Sequence, residues 1–147
     1  MKYDVFLSHS SKDKSDVDRV RDELTGLGYR VCVDYEVLPA IRPEDVTRET
    51  ANALVEAMRE CSSLIYVLSP GSASSQWMPW EMGFFDGANG TVFIWPVDGE
   101  AEAYAKDRRY VDLYAKIPVE GRRKFLEQFL PREPRPAVVA CPPVAPV

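Results

Sequence analysis

The run Ser74-Ser75-Gln76-Trp77-Met78-Pro79-Trp80-Glu81 places a carboxylate one helical turn beyond an aromatic ring. Residues four apart lie on the same face of a helix, so a helix that opens near Ser75 turns Trp77 and Glu81 to the same side. A flat ring can stack against a charged heterocycle, and a carboxylate beside it can stabilise positive charge. The pair therefore points to the binding of a charged heterocyclic nucleotide.

The same segment also has a structural interpretation. A glutamate in the first turn of a helix is common because it complements the helix dipole. The aromatic side chains of this segment could simply pack into a core, and they are Trp77, Trp80, Phe84 and Phe85. Residue types alone favour this structural interpretation, so the functional one needs support from the rest of the chain.

Strands and helices alternate on both sides of this segment. Short apolar runs predict four strands, at Tyr3 to Leu7, Arg30 to Val33, Leu64 to Leu68 and Thr91 to Trp95. Helical spacing predicts a helix after Ser15, where Ser15 and Asp18 resemble a capping box, then one from Thr47 to Cys61 and one from Trp77 to Gly87. This alternation predicts an α/β fold: a flavodoxin-like doubly wound sheet, mainly parallel, with helices on both faces.

After Asp98 the pattern weakens. We expect a polar span to Asp107, a short element around Tyr110 to Ile117 and a helix from Glu120 to Leu130. Half of the twelve prolines follow Leu130, and such density prevents regular structure. We therefore predict one domain over residues 1–130 and a proline-rich tail or linker over residues 131–147.

Three loops are expected to meet where the carboxyl ends of the strands lie, which is where open parallel sheets bind ligands. They are Ser8-His9-Ser10, Asp34-Tyr35-Glu36 and the segment from Ser69 to Gln76. Serine hydroxyls and free backbone N–H groups can hold phosphate, especially before a helix. The chain has no glycine-rich dinucleotide fingerprint and no phosphate-binding loop, so these residues alone favour ordinary turn chemistry over phosphate binding.

Composition excludes several classes of function. With His9 the only histidine, a zinc site rich in histidine or a Ser-His-Asp triad is nearly excluded, and we expect no metal. The formal net charge of −5 argues against broad nucleic-acid binding. No apolar run is long enough to span a membrane and no export signal is visible, so we expect a cytoplasmic protein. The three cysteines are odd in number and far apart, which predicts free thiols.

Four segments in order and spacing resemble a Toll/interleukin-1 receptor (TIR) domain, particularly the bacterial TIR-like proteins. They are the run from Tyr3 to Asp13, the long loop after Val33, the run from Leu64 to Ser69 and the run from Ser75 to Glu81, and the resemblance covers residues 3 to about 97. In family members that are enzymes, the glutamate of the Ser-x-Trp-x-x-x-Glu pattern is essential for cleaving the nicotinamide–ribose bond of NAD⁺.

The resemblance implies a role for individual residues. Glu81 matches the essential glutamate, and Trp77 matches the aromatic residue before it. The resemblance further implies that the loop from Ser8 to Ser10 lines the nucleotide site and that the long loop from Asp34 to Val46 helps to assemble neighbouring subunits. We expect substrate contacts from Ser8, His9, Ser10, Asp34, Tyr35, Trp77 and Trp80.

Two departures from the family pattern stand out. The position after the tryptophan is often cysteine in relatives and is Met78 here, followed by Pro79. The usual Pro-Gly of the long loop is Pro39-Ala40. We expect Met78 to change little, whereas Ala40 could alter the conformation of the loop and so the assembly of subunits.

Three functions fit the sequence. The first is NAD⁺ cleavage by hydrolysis or cyclisation in immune or antiphage signalling, with NAD⁺ as substrate, no further cofactor and self-association through TIR contacts. The second is a TIR module that only binds other TIR domains. The third is an enzyme similar to the nucleoside deoxyribosyltransferases, which share the fold type and use a glutamate on a glycosidic carbon. Having Trp77 and Glu81 together favours the first.

Overall fold

A computed structural model describes residues 2–10, 12–33, 47–75, 77–105 and 110–132. Two predicted substrate-binding residues, Asp34 and Tyr35, lie outside these ranges. The long loop at residues 34–46, including Pro39-Ala40, and most of the predicted tail, residues 133–147, also lie outside them. The described ranges contain Glu81 and the other predicted site residues.

The described residues form five strands and five helices in alternating order. The strands are β1 (Tyr3–Ser8), β2 (Val31–Val33), β3 (Cys61–Leu68), β4 (Val92–Pro96) and β5 (Ala115–Lys116). The helices are α1 (Lys14–Gly26), α2 (Arg48–Arg59), α3 (Trp77–Ala88), α4 (Gly99–Ala105) and α5 (Arg122–Phe129). Short 3₁₀ turns occur at Ser72–Ser74 and Val111–Leu113.

The strands form one sheet in the order β2-β1-β3-β4-β5, and every neighbouring pair is parallel. The predicted flavodoxin-like sheet is therefore confirmed. The chain builds outward from β1 to β2, then returns to the other side of β1 to add β3, so the order reverses between β1 and β3. Ligands of such sheets bind beyond the carboxyl ends of the strands at this reversal point.

Both faces of the sheet are covered by helices, as predicted. One apolar cluster joins the sheet to α2, α3 and α4 through residues such as Leu54, Met82 and Ala101. The other joins it to α1 and α5 through residues such as Leu24 and Leu126. β1 and β3 are buried along their whole length, as expected of central parallel strands. None of the helices among the described residues is long and apolar enough to cross a membrane.

Several predicted boundaries are wrong for physical reasons. Cys61 begins β3, whereas the sequence predicted that it ends the preceding helix. The start of the strand was not predicted because Ser62 and Ser63 are buried in it and their side chains give no apolar signal. The helix α4 lies within the predicted polar span. It was not predicted because it buries only two alanines, Ala101 and Ala105, which give little apolar signal. The short element expected around Tyr110 to Ile117 is confirmed as a 3₁₀ turn followed by the two-residue strand β5. The helix expected from Glu120 to Leu130 is confirmed as α5.

The start of α1 also differs from the prediction. The helix begins at Lys14 with Asp13 as its N-cap, and not at a capping box formed by Ser15 and Asp18. The side chain of Asp13 makes no capping hydrogen bond. A residue at an N-cap normally uses its side-chain oxygen in this way, so the carboxylate of Asp13 must be engaged elsewhere.

The cysteines differ in state. Cys61 is a free and buried thiol, and burial, with the negative charges of Glu60 and Asp4, raises its pKa. Cys32 is disulfide-bonded, so the prediction of a free thiol there is wrong. Separation along the sequence sets no lower limit on the distance between two cysteines in a folded chain.

Candidate active site

Ser8 and Glu81 meet at the carboxyl end of β1. Ser8 is the last residue of β1, and its Oγ donates a hydrogen bond of 2.8 Å to Oε1 of Glu81. Both residues are fully buried although 73 positions separate them in the chain. The fold thus brings the predicted catalytic carboxylate to the point where the strand order reverses.

The start of α3 sets the position of Glu81. The backbone N–H of Met78 donates to Oγ of Ser75 at 3.2 Å, which satisfies one of the free N–H groups of the first turn. Pro79 lies in this turn, where the lack of an N–H costs no helical hydrogen bond. Met78 and Met82 are buried in the core and orient the helix. This confirms a helix that opens near Ser75.

Glu81 lies just beyond the first turn of α3, which contains no acidic residue. The expectation that Glu81 is stabilised as a first-turn glutamate is therefore wrong, because the effect of the helix dipole falls off within that turn. The same observation weakens the structural interpretation of Glu81 as a residue that complements the dipole. The hydroxyl of Ser8 is one hydrogen-bond partner of this carboxylate.

The aromatic residues of α3 occupy different surroundings. Trp77 is half-buried against the core, and its ring lies edge-on to that of Trp80 with the centroids 5.2 Å apart. Trp80 is 39% exposed and stacks with Phe84 at 6.1 Å. Adjacent residues of a helix point in different directions, so Trp80 and Glu81 do not share a face. Trp77 lies four residues before Glu81, so helical spacing puts it on the same face of α3 as the carboxylate.

The loop between β1 and α1 holds the three predicted residues Ser8, His9 and Ser10, all of which are buried. Nδ1 of His9 lies 2.9 Å from the carbonyl oxygen of Ser10, to which it donates when protonated at that nitrogen. Oγ of Ser10 accepts from the backbone N–H of Lys12 at 3.3 Å. The hydroxyl of Ser10 thus takes part in turn chemistry, and that of Ser8 is directed at Glu81.

The loop between β3 and α3 is stabilised mainly by its own serines. The backbone N–H of Ser69 donates to Oγ of Ser72 at 3.2 Å, and this hydroxyl donates to the carbonyl oxygen of Ser69 at 2.7 Å. The hydroxyl of Ser69 donates to a group outside this loop, the carboxylate of Asp13. Sequence reasoning missed Asp13 as a site residue. Asp13 stands directly before α1 and ends the run from Tyr3 to Asp13 that resembles the family. This placement was the signal in the sequence that could have indicated it.

A cleft of about 300 Å³ opens beside this loop and the start of α4. Pro70, Ala73 and Tyr104 supply its apolar walls, and Asp98 and Glu100 bring two carboxylates. These charges make the cleft unsuitable for a diphosphate. Over the described residues, no group of three or more His, Cys, Asp or Glu side chains could hold a metal ion.

The family model described as "TIR domain" matches residues 5–128. A protein of Bacillus cereus (strain MSX-D12) named "Probable 3' cyclic ADP-D-ribose synthase ThsB'" is 43% identical over 95 residues, which are 65% of this chain and 49% of that protein. TIR2 of Cytobacillus dafuensis, also named for cyclic ADP-D-ribose synthesis, is 26% identical over 101 residues, 68% of this chain and 27% of its own length. The chain thus spans at most about half of these relatives.

The fold has a counterpart among solved structures. The crystal structure of the TIR domain of the Toll-related receptor TRR-2 from Hydra magnipapillata superposes with a TM-score of 0.53 at 13% identity. The superposition covers 87% of this chain and 91% of that one. At this identity the likeness concerns the arrangement of helices and strands alone.

Proposed function

Because this chain belongs to the TIR domain family, we propose that it is an enzyme that cleaves the nicotinamide–ribose bond of NAD⁺ and releases a cyclic ADP-ribose, with hydrolysis to ADP-ribose as the competing outcome. The observation that carries the proposal is the hydrogen bond from Ser8 to the buried carboxylate of Glu81 at the end of β1. It orients the carboxylate of Glu81 at the ligand-binding edge of the sheet, with Trp77 on the same face of α3.

One carboxylate is sufficient for this reaction. Ordinary glycosidases use two because the departing sugar oxygen is a poor leaving group and must be protonated. Nicotinamide leaves NAD⁺ as a neutral pyridine, so no general acid is needed. What remains is to stabilise the positive charge that develops on the ribose as the bond breaks, and an ionised Glu81 supplies the opposite charge.

The burial of Glu81 strengthens this effect. Electrostatic attraction between a carboxylate and a cationic ribose is far greater where water is excluded than on the surface. The hydroxyl of Ser8 holds one carboxylate oxygen in place, so the charge needs little reorganisation during the reaction. Since Glu81 is closed to solvent in this structure, substrate reaches it only after a surrounding segment moves.

Exclusion of water also bears on the product. The carbon freed by nicotinamide can be attacked by water, which gives ADP-ribose, or by a nucleophile of the same molecule, which gives a cyclic product. A site that closes again over bound NAD⁺ disfavours water and so favours the internal nucleophile. The names of the two bacterial relatives, both for cyclic ADP-D-ribose synthesis, support this choice.

The biological setting belongs to the same proposal. A cyclic nucleotide made from abundant NAD⁺ is suited to act as a signal, and we place it in immune or antiphage signalling in the cytoplasm. We further propose that copies of this chain associate through their TIR surfaces and that the loop at residues 34–46, which includes Asp34 and Tyr35, takes part in that contact.

The proposal is tested by incubating the purified protein with NAD⁺ and separating the products by liquid chromatography and mass spectrometry. We expect nicotinamide and an equimolar product that is one water lighter than ADP-ribose. If linear ADP-ribose is the sole product, the proposed cleavage of NAD⁺ is retained and the proposed cyclisation is refuted. Intact NAD⁺ together with self-association would favour a binding module, and turnover of nucleosides without NAD⁺ turnover would favour the deoxyribosyltransferase-like reaction.

A further inference from the structure

Asp13 is bonded to a neighbouring loop and not to its own helix. It occupies the N-cap of α1 with φ −117° and ψ 39°, and its side chain makes no capping hydrogen bond. An aspartate at this position usually accepts from a backbone N–H of the first turn, which stabilises the helix. Here the carboxylate accepts from Oγ of Ser69 at 2.5 Å, across 56 residues of sequence.

Gly71 leaves room for this carboxylate. Its backbone angles, φ −79° and ψ −17°, suit any residue, so torsion does not require glycine there. A Cβ at Gly71 would lie 2.3 Å from Oδ2 of Asp13, far inside contact distance. A side chain at Gly71 would therefore displace the carboxylate of Asp13 from its place against the backbone of the loop.

These contacts belong to a closed path through the candidate site. Asp13 follows the loop that leaves β1 at Ser8, and its carboxylate is bonded to Ser69 at the end of β3. The loop from Ser69 runs into α3, which carries Glu81, and Glu81 is bonded back to Ser8. A second link, from Nζ of Lys12 to Oγ of Ser74 at 3.4 Å, joins the same two loops at the surface.

We propose that Asp13 is a positioning residue: its contact with Ser69 and Gly71 fixes the loop before α3 and thereby the place of the Glu81 carboxylate. This inference rests on the proposed NAD⁺ cleavage. A carboxylate that stabilises a developing charge must be held closely, and a displacement of about 1 Å can lower a rate on the order of a hundredfold. Giving up a helix cap for this contact is consistent with a positioning role.

The first test is a double-mutant cycle on NAD⁺ turnover with Asp13→Ala, Ser69→Ala and the double variant. We expect each single variant to lower kcat about tenfold or more with KM little changed, and the double variant to be no slower than Asp13→Ala alone. Asp16→Ala is the matched control, because it removes a carboxylate from the first turn of α1 that pairs with Arg19 and not with the loop. It should keep the wild-type kcat.

A steric test is independent of the lost hydrogen bond. Gly71→Ala should lower kcat and the melting temperature in the wild-type background, because the new methyl group collides with Asp13. In the Asp13→Ala background the same substitution should change neither. Additive effects in both cycles, or Asp13 and Ser69 variants that lose only thermal stability while the folded protein keeps its kcat, would overturn the inference. Wild-type protein without NAD⁺ turnover would instead refute the proposed function.

Discussion

The bond between Ser8 and Glu81 changes the role expected for Ser8. The sequence placed Ser8 among residues that touch substrate, whereas its hydroxyl donates to the carboxylate. We predict that Ser8→Ala lowers kcat about tenfold with little change in KM, because the carboxylate loses its orienting partner. Steady-state kinetics on NAD⁺ at matched folding check this. A raised KM with unchanged kcat would show that Ser8 contacts the substrate instead.

Trp77 and Trp80 make a matched pair for testing the aromatic contribution. Trp77 lies on the side of α3 that carries Glu81, whereas Trp80 stacks with Phe84 toward solvent. We predict that Trp77→Ala lowers activity more than Trp77→Phe, which keeps a flat ring, and that Trp80→Ala has the smaller effect. Kinetics and melting temperature must be measured together. Equal activity of Trp77→Ala and wild type, with both folded, would remove Trp77 from the site.

Residues of the candidate site could be predicted where they belong to a recognisable pattern in the sequence. The spacing of Trp77 and Glu81 and the serines after β1 are visible in the chain. The partner of Glu81 is not, because a contact across 73 residues depends on the register of β1 and on the start of α3 together. Asp13 escaped prediction because an N-cap aspartate is expected to bond its own helix.

Among the secondary-structure elements, α5 offers a test that separates stability from activity. Arg122 at its start donates to the carbonyl oxygens of Pro96 and Val119, and its guanidinium lies 4.6 Å from the ring centroid of Trp95. We predict that Arg122→Ala lowers the free energy of unfolding by about 1–3 kcal/mol, since two carbonyl groups lose their donor and a cation–π contact is removed.

The activity of the folded Arg122→Ala protein should equal that of wild type, because Arg122 lies on the opposite side of the sheet from α3. Arg123→Ala is the control, since Arg123 is exposed and forms a surface ion pair with Glu127 within α5. Urea denaturation of the three proteins checks the prediction. Arg122 and Arg123 variants of equal stability would show that α5 does not depend on this anchor.

Whether an element could be predicted depended on how much apolar surface it buries. β1, β3, β4, α2 and α3 were predicted because each carries a run or stripe of large apolar residues. α4 was missed because alanines give little periodic signal. β5 lies within the short element expected around Tyr110 to Ile117, but its type could not be predicted because two residues cannot show alternation.

For the molecule as a whole, the fold could be predicted from alternation alone. Parallel strands joined by helices must cross over with one hand, which restricts the order to a few arrangements. The expected position of the candidate site, beyond the carboxyl ends of the strands, depends on the same architecture. The sequence gives no comparable rule for how copies of the chain would associate. Association depends on exposed surfaces, whereas the fold depends on the periodicity of buried apolar residues.

Self-association makes a kinetic prediction. If neighbouring copies complete the site, the rate of NAD⁺ cleavage should rise more steeply than in proportion to protein concentration. A dilution series with light scattering at each concentration checks this, and adding an inert protein at equal mass controls for surface loss. Constant specific activity across the series, in protein that stays monomeric, would show that one chain holds a complete site.

The most direct test of the central claim compares wild type with Glu81→Gln. The amide keeps the size of the side chain and an oxygen for the hydroxyl of Ser8, and it removes only the charge. We predict a loss of NAD⁺ cleavage on the order of a hundredfold or more. The melting temperature should be unchanged or raised, because a buried charge is gone. A Glu81→Gln protein with wild-type stability that cleaves NAD⁺ at the wild-type rate would contradict the account.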